Sequence, residues 1–319
     1  MEIVAVNALL CPHCGRSFIY PLPGANALVC ADGHSFDIAR QGYVNLLTGH
    51  GTKFISDTAD MVAARDAFLD AGHYSALANE VARQVSKQLS RAQLSKAQLS
   101  AGESEPAVIV DAGTGTGWYL HQVLASVNTE TEEQFGEMPN VAAVGLDISK
   151  FALRRAARRN PQVANIVWDL WRELPLGTDT ADVVLVIFAP RNVREFARIL
   201  KPGGTVIVIT PLPGHLAEIA QDAGMLAIQN DKEVALVQAM AEHFVLVDSQ
   251  ELRVPLLLDP PDVVNVALMG PAGHHLDADE LRKRLSNLSV QTQGHAEKNA
   301  QPQTSATAAF RISTFAQVP

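Results

Sequence analysis

From Pro106 onward, short β-branched runs alternate with stretches of helical periodicity, and this alternation limits the possible folds more than any other feature of the chain. The runs are residues 108–110, 141–146, 165–167, 183–188 and 205–209. Strands separated by helices form a parallel sheet with helices on both faces. Two later strand candidates, residues 243–249 and 308–315, would add an antiparallel edge. We therefore predict an α/β fold with a doubly wound, mainly parallel, seven-stranded sheet.

The chain divides by composition into three parts. Its 319 residues, 47% of them hydrophobic, suffice for one large core and a small module. Residues 1–50, with several Gly and Pro, predict a small β module. Residues 51–105 predict a helical linker of two helices, one on each side of Gly72. Residues 106–319 are the predicted main domain. Residues 128–140 and 291–307 have the composition of loops that carry no chemistry.

The charge balance excludes a surface that is basic overall. Lys and Arg number 25 against 34 Asp and Glu, a formal net charge of -9, so a nucleic-acid contact needs a local patch. The candidate patch is a helix with no acidic residue between positions 150 and 159, and its basic residues are Lys150, Arg154, Arg155, Arg158 and Arg159. A solvated helix face and a contact with RNA phosphates both fit this pattern.

The sequence shows no membrane or secretion signal. No apolar run approaches the roughly 20 residues that span a bilayer, and the apolar start MEIVAVNALL has no Lys or Arg ahead of it. We expect a soluble, cytoplasmic protein with no membrane partner. A homodimer is left open.

All three cysteines lie within the first 30 residues, in a pattern typical of a metal site. Cys11 and Cys14 have C-x2-C spacing, and Cys30 and His34 have C-x3-H spacing. Two such turns can complete a tetrahedron of three sulfurs and one imidazole, which predicts a structural Zn²⁺. The alternative is buried free cysteines beside a chance histidine. We expect His13, inside the first turn, to be exposed and not a ligand.

A strand ending in D-x-G-x-G-x-G supplies the second chemical motif. Residues 108–110 run into Asp111, Gly113, Gly115 and Gly117, and glycines at every second position leave no Cβ to block a ligand against the backbone. The spacing differs from the G-x-G-x-x-G pyrophosphate motif. Acids also end the next two strands, at Asp147 and Asp169. A chance pattern and a plain NAD site are the alternatives.

These residues resemble the class I S-adenosylmethionine-dependent methyltransferases. The resemblance implies that the glycine turn holds the amino-acid part and the nucleoside, that Asp147 holds the ribose hydroxyls, and that Asp169 reads the adenine amino group. A polar trio in the linker helices, Arg65, His73 and Tyr74, suggests a lid over the cofactor, with structural capping as the alternative. The cofactor-binding candidates are thus Asp111, Gly113, Gly115, Thr116, Gly117, Asp147, Asp169 and Tyr74.

Four further segments are similar to the bacterial 23S rRNA guanine-N1 methyltransferases. They are residues 36–47, directly after the zinc ligands, and residues 60–74, 188–192 and 200–205. The similarity covers about residues 8–285; the two loop regions and the acidic balance depart from it. The resemblance implies methyl transfer from S-adenosylmethionine to N1 of a guanine in a 23S rRNA hairpin. It also suggests resistance to tylosin-type macrolides, which some actinobacterial members confer.

The run Phe188-Ala189-Pro190-Arg191 follows the fourth strand, where class I enzymes that act on planar amines often grip their substrate. We predict Arg191 as the catalytic residue, a donor to the guanine O6 as charge develops there. A simple loop is the alternative, and the sequence assigns no general base. In the small module, Phe18, Tyr20 and Tyr43 either pack its core or stack on RNA bases, and packing is favoured.

Two other functions fit the same motifs. One is a class I methyltransferase that acts on a small molecule, with the zinc module as a lid. The other is a zinc-dependent RNA-binding protein that binds the cofactor without turnover. Incubation with labelled cofactor and either rRNA or metabolite extract separates the three.

Overall fold

A computed structural model describes residues 1–19, 24–49, 51–97, 105–135, 141–225, 232–284 and 303–318. Its helices are α1 (Ile3–Asn7), α2 (Ala59–Asp70), α3 (Ser75–Ala97), α4 (Trp118–Phe135), α5 (Lys150–Arg159), α6 (Val193–Ile199), α7 (Ala217–Ala220), α8 (Lys232–Met240) and α9 (Pro260–Leu268). Its strands are β1 (Phe18–Ile19), β2 (Ala27–Cys30), β3 (Ser35–Asp37), β4 (Val44–Asn45), β5 (Ala107–Ala112), β6 (Val141–Asp147), β7 (Ala164–Val167), β8 (Ala181–Ile187), β9 (Leu200–Pro211), β10 (Phe244–Leu258) and β11 (Thr304–Gln317).

The main sheet has the order β10-β11-β9-β8-β5-β6-β7-β4. Strands β4 to β9 pair in parallel, and β11 pairs antiparallel with both β9 and β10. The parallel strands end at one edge of the sheet, so the residues that follow β5, β6, β7 and β8 meet there. A separate sheet of β1, β2 and β3 lies in the N-terminal module.

The doubly wound, mainly parallel fold is confirmed, with two differences in detail. The seven expected strands are joined by β4, a two-residue strand from the N-terminal segment that pairs with β7 and is too short to show a hydrophobic pattern. The antiparallel strand β11 lies one position in from the edge, because it pairs on both sides; the edge strand is β10.

Both regions expected to be loops contain regular structure. Helix α4 continues through Phe135 into the acidic insert. The Glu and Gln residues of the insert favour helix, and no Gly or Pro lies between Trp118 and Phe135. Strand β11 begins at Thr304, inside the second region. Residues 136–140 and 291–302 lie outside the described part of the chain.

Two apolar layers cover the main sheet. Every residue of β5 is buried, as expected for a strand with both faces covered. Ile109 faces a cluster that contains the apolar residues of α2, α3, α4 and α9. Val108 and Val110 face the opposite cluster, which includes Leu9, Leu28 and other residues of the N-terminal module. The module therefore packs directly on one face of the sheet.

In that module, Phe18 and Phe36 are buried and meet edge to face with ring centroids 5.7 Å apart. Tyr43 packs beside Leu153 and Val167 of the main domain. Tyr20 lies outside the described residues. Within the described ranges, no helix combines the length and the apolar composition that crossing a membrane requires.

Candidate cofactor cavity and zinc centre

The four predicted metal ligands converge at the ends of β2 and the turns around it. Cys14 Sγ lies 3.6 Å from Cys30 Sγ, and His34 Nδ1 lies 3.4 Å from Cys30 Sγ and 3.7 Å from Cys11 Sγ. In a tetrahedral Zn²⁺ site with the usual bond lengths, ligand atoms are separated by roughly 3.5–3.8 Å. The distances fit a zinc ion held by three thiolates and His34 Nδ1. His13 is exposed, and its ring stacks on Phe36 with centroids 5.7 Å apart.

A cavity of about 1240 Å³ opens at the carboxyl edge of the main sheet. Its lining brings together eight of the nine residues predicted to bind the cofactor or to act in catalysis: Tyr74, Asp111, Gly113, Gly115, Thr116, Asp147, Asp169 and Arg191. Gly117 is not among the lining residues. Sites at this edge are typical of open α/β sheets.

Two glycines of the turn, Gly113 and Gly117, are required by the local backbone conformation and by close packing. Gly113 has φ +90°, and a Cβ there would lie 2.3 Å from the Cβ of Ala189. Gly117 has φ +69°, and its Cβ would lie 2.8 Å from Asn160 Nδ2. Gly113 and Gly117 therefore have a local structural role in addition to the ligand contact predicted for them. They allow a left-handed turn and close packing against neighbouring segments.

Asp147 and Asp111 are held differently. Asp147 accepts hydrogen bonds from the backbone N–H of Gly115 at 2.9 Å and of Ser149 at 2.7 Å. Burial raises the Asp147 pKa, and these two hydrogen bonds oppose the shift. Asp111 is almost fully buried, which raises its pKa to about 7, and its Oδ1 has no hydrogen-bond partner among the described atoms.

Asp169 is a junction between two segments. Its Oδ2 accepts a hydrogen bond from Thr52 Oγ1 at 2.8 Å, and its Oδ1 accepts one from the backbone N–H of Trp171 at 3.0 Å. Thr52 belongs to the stretch between the zinc module and α2. Nothing in the sequence pattern pointed to Thr52, because it is 117 residues away from Asp169.

The proposed lid trio separates in the structure. Tyr74 is buried, lines the cavity and lies with its hydroxyl 3.3 Å from His215 Nε2. Arg65 also lines the cavity, with its guanidinium 2.5 Å from Asp57. His73 is not among the lining residues and faces Asp262 at 3.0 Å. Sequence reasoning missed His215 and Asp57. Burial lowers the His215 pKa to about 4, so His215 is neutral at pH 7.

Arg191 reaches the cavity from the loop after β8, beside Pro190. Burial lowers its pKa from the usual value, and none of the described acidic side chains forms an ion pair with it. Phe188, which begins this loop, has φ +55° and a side chain 46% exposed. A positive φ is rare for a bulky residue and marks a constrained turn.

Two arginines of the basic helix α5 form ion pairs with acidic residues of α2. Arg159 pairs with Asp66 and Asp70 of α2, each at 2.8 Å, and Arg155 also pairs with Asp66. These two residues are therefore not free cations on a solvated face, because α2 supplies carboxylates that the sequence of α5 does not show. The exposed basic residues of the helix are Lys150, Arg154 and Arg158.

The cavity suits a polar ligand. Five buried polar atoms on its lining residues have no hydrogen-bond partner in the described structure: Asp111 Oδ1, Thr114 Oγ1, Thr116 Oγ1, Tyr119 Oη and Trp168 Nε1. Unpaired buried polar groups are costly, so a bound molecule with matching donors and acceptors is their natural partner.

Comparison with known proteins agrees with this site. The family model "RlmA, N-terminal", a zinc ribbon, matches residues 9–50, and the model "Methyltransferase domain" matches residues 109–204. The chain is 42% identical to the 23S rRNA (guanine(748)-N(1))-methyltransferase of Streptomyces fradiae, over 89% of this chain and 91% of that one. It is 40% identical to a protein of Micromonospora griseorubida, over 88% and 92% of the two chains, whose name assigns a 23S rRNA guanine-N(1) methyltransferase provisionally.

The sheet order, the glycine turn after β5 and the acids after β6 and β7 define a class I S-adenosylmethionine-dependent methyltransferase. The N-terminal cluster adds a zinc module to that class. The chain belongs to the 23S rRNA (guanine-N1)-methyltransferase family.

Proposed function

We propose that the protein transfers a methyl group from S-adenosylmethionine to N1 of a guanine in a 23S rRNA hairpin. The observation that carries this proposal is the identity of 42% over 89% of the chain, which includes the zinc module as well as the main domain. The match covers the relatives' N-terminal module as well as the methyltransferase domain. Positions 9–50 match that module as a unit.

Residues at the carboxyl edge would hold the cofactor. In the proposal, Asp147 accepts hydrogen bonds from the ribose hydroxyls, and Asp169 lies at the adenine end. Asp111 and the turn from Gly113 to Thr116 face the amino-acid part of the cofactor. Gly117 shapes the turn. Tyr74 covers the site together with Arg65. S-adenosylmethionine, when bound, supplies an activated methyl group on its sulfonium.

The chain's own residues would mainly orient the guanine and stabilise its charge. Guanine N1 carries a proton at neutral pH, so negative charge develops at O6 as that proton leaves. Arg191, without an acidic partner among the described residues, is the proposed donor to O6. Pro190 fixes the turn that holds Arg191. A target guanine in a hairpin would have to leave its stack to reach this cavity.

Methyl transfer to 23S rRNA in vitro tests the proposal. Radiolabelled cofactor is incubated with 23S rRNA lacking the modification, and primer extension then maps the stop that N1-methylguanine causes. We expect one new stop, at the guanine corresponding to position 748 in the name of the Streptomyces fradiae relative. Label in a metabolite extract, with none in rRNA, would favour the small-molecule alternative; cofactor binding without any transfer would favour the RNA-binding protein.

Four finer points belong to the same proposal. A substrate that is ribosomal RNA implies a cytoplasmic location, which fractionation tests. Resistance to tylosin-type macrolides follows if the modified hairpin lines the drug site, and growth of a knockout on tylosin tests it. A homodimer rests on no structural observation, and sedimentation velocity measures it directly. The domain boundaries at residues 50 and 105 also stay a prediction.

A further inference from the structure

Two exposed aromatic side chains stand at the mouth of the cofactor cavity. Phe54 is 42% exposed and Trp171 is 54% exposed, although large aromatic side chains are usually highly buried. Both line the cavity, and their ring centroids lie 6.4 Å apart with planes inclined by 34°. Phe54 comes from the segment after the zinc module, and Trp171 from the loop after β7. The two rings form one continuous aromatic surface at the junction of the two parts of the chain.

The carboxylate of Asp169 connects the two backbone segments that carry the rings. The backbone N–H of Trp171 donates to Asp169 Oδ1 at 3.0 Å. Thr52 Oγ1 donates to Asp169 Oδ2 at 2.8 Å, and the backbone N–H of Phe54 donates in turn to Thr52 Oγ1 at 3.1 Å. Arg172 adds hydrogen bonds to the backbone carbonyls of Thr48 and Gly51. These hydrogen bonds link the two backbone segments that carry the rings, and a backbone fixed in this way lowers the entropic cost of binding a partner.

Cationic side chains lie near the rings, although the carboxylate of Asp169 lies there as well. Lys53 Nζ lies 5.5 Å from the Phe54 ring centroid, within cation–π range. Arg172 lies beside Trp171 in sequence, and Arg191 opens into the same cavity. Exposed aromatic rings with nearby cations suit an unstacked nucleotide, because the rings stack on the base while the cations attract the phosphate.

We infer that Phe54 and Trp171 form a stacking platform for an unpaired base of the RNA next to the target guanine. This inference rests on the proposed function, since it concerns the RNA that enters the same cavity. A base stacked at the mouth would hold the hairpin strand open while the neighbouring guanine lies deeper, near Arg191. The platform would make substrate choice depend on an unpaired nucleotide beside the target.

The competing occupant is the adenine of the cofactor, and two measurements separate the occupants. Trp171 is 54% exposed, whereas Trp118 and Trp168 are 4% and 5% exposed but also line the cavity, so the signal of the platform is the fluorescence difference between the wild type and Trp171→Phe. We expect a 23S rRNA hairpin fragment containing the target guanine to quench this fluorescence, with little quenching by S-adenosylhomocysteine alone. Quenching that saturates with S-adenosylhomocysteine alone would assign the rings to the cofactor and overturn the inference.

Variants provide the second measurement. Trp171→Ala and Phe54→Ala should each raise the Kd for the hairpin fragment roughly 5- to 100-fold, the range that stacking on one base implies, while the calorimetric Kd for S-adenosylhomocysteine changes less than twofold. Trp171→Phe, which keeps an aromatic ring, should recover most of the binding. Leu257→Ala is the control, because Leu257 is 55% exposed on β10 and lies outside both the cavity lining and the basic helix α5.

The results also separate this inference from the proposed function. Hairpin binding by Trp171→Ala and Phe54→Ala equal to that of Leu257→Ala would overturn the platform even if the wild-type protein methylates rRNA. An equal loss of cofactor and hairpin affinity would overturn it as well. Hairpin binding that depends on both rings, in a protein that transfers no label to rRNA, would support the platform and remove the proposed methyl transfer.

Discussion

Three carboxylates meet at one edge of the sheet, and their partners give them different properties. Asp147 is fixed by two backbone N–H donors, and Asp169 by Thr52 and Trp171. Asp111 keeps a buried oxygen without a partner among the described atoms, and burial raises its pKa to about 7. Of these three carboxylates, Asp111 is therefore the one whose charge changes near neutral pH. Asp169 lines the cavity, and its hydrogen bonds also connect two segments of the protein.

Replacing the proposed ribose acid should weaken cofactor binding. We expect Asp147→Ala to raise the Kd for S-adenosylmethionine roughly 10- to 100-fold, because hydrogen bonds to a charged group contribute about 1.5–3 kcal/mol. Titration calorimetry measures this. Asp222→Ala, at an exposed position outside the cavity lining, is the control. An unchanged Kd for Asp147→Ala would mean that another residue holds the ribose.

Cofactor affinity should depend on pH through Asp111. Its raised pKa means that the carboxyl is protonated below about pH 7 and ionised above it. A cationic ligand favours the ionised form, so we expect affinity for S-adenosylmethionine to rise from pH 6 to pH 8, with a slope of at most about one log unit per pH unit. Asp111→Asn should bind more weakly and with a flat profile. A wild-type profile as flat as that of Asp111→Asn would rule out this role.

The predicted acids could be found from sequence because each ends a buried strand, so the local pattern also gives its place at the sheet edge. Thr52 and His215 could not be found in this way. Thr52 acquires its role from Asp169, and His215 acquires its role from Tyr74, 141 residues away. Such pairs form only when the tertiary fold brings distant segments together, so the local sequence pattern does not show them.

At the scale of elements, α5 shows how packing changes the meaning of a charge pattern. Its basic residues divide into an inner pair, Arg155 and Arg159, which binds the carboxylates of α2, and an outer row. The outer row is Lys150, Arg154 and Arg158, spaced four residues apart on the exposed face. Any phosphate contact by this helix therefore belongs to the outer row.

Two double variants separate the rows. Arg154→Gln with Arg158→Gln should flatten the salt dependence of rRNA binding by roughly two units of slope and leave stability unchanged, if the outer row contacts phosphates. Arg155→Gln with Arg159→Gln should lower the free energy of unfolding by about 1–3 kcal/mol, because Asp66 loses its partners while buried. Binding to a hairpin fragment at several salt concentrations, with urea unfolding, measures both.

Equal salt slopes for the wild type and the outer-row variant would assign the RNA surface elsewhere. Equal unfolding curves for the wild type and the inner-row variant would contradict the clamp between α2 and α5. Sequence identified the helix and its charges, because periodicity is local. It could not distinguish the rows, because the distinction lies in Asp66 and Asp70, 89 or more residues away.

Elements with their own pattern could be predicted from sequence, and those formed by pairing could not. The buried strands β5 to β9 appear as continuous apolar runs, since both of their faces are covered. Strand β4 has two residues and exists because β7 offers it an edge. The place of β11 between β9 and β10 likewise follows from pairing along most of its length.

At the scale of the molecule, the zinc module and the main sheet share one apolar core. Leu9, Leu28 and Phe36 belong to the same buried cluster as Val110 and Val184 of the sheet. The chain then crosses from the module to α2 through the segment that bonds to Asp169 and Arg172 at the cavity mouth. A continuous path of packing and hydrogen bonds therefore links the zinc module to the cavity.

Removing zinc should destabilise the whole protein and affect its ligands unequally. We expect Cys14→Ser to lose the one zinc per chain and to lower the melting temperature by roughly 6–12 °C, as a loss of about 3 kcal/mol implies for a domain of this size. Cofactor affinity should fall less than tenfold, because Asp147 and Asp111 lie on the main sheet, whereas rRNA methylation should be lost. His13→Ala is the control, since His13 lies in the same turn but is exposed and outside the ligand cluster. Elemental analysis, thermal melting and calorimetry on the same samples give the three readouts; full zinc content in Cys14→Ser, or rRNA methylation at the wild-type rate without zinc, would refute this account.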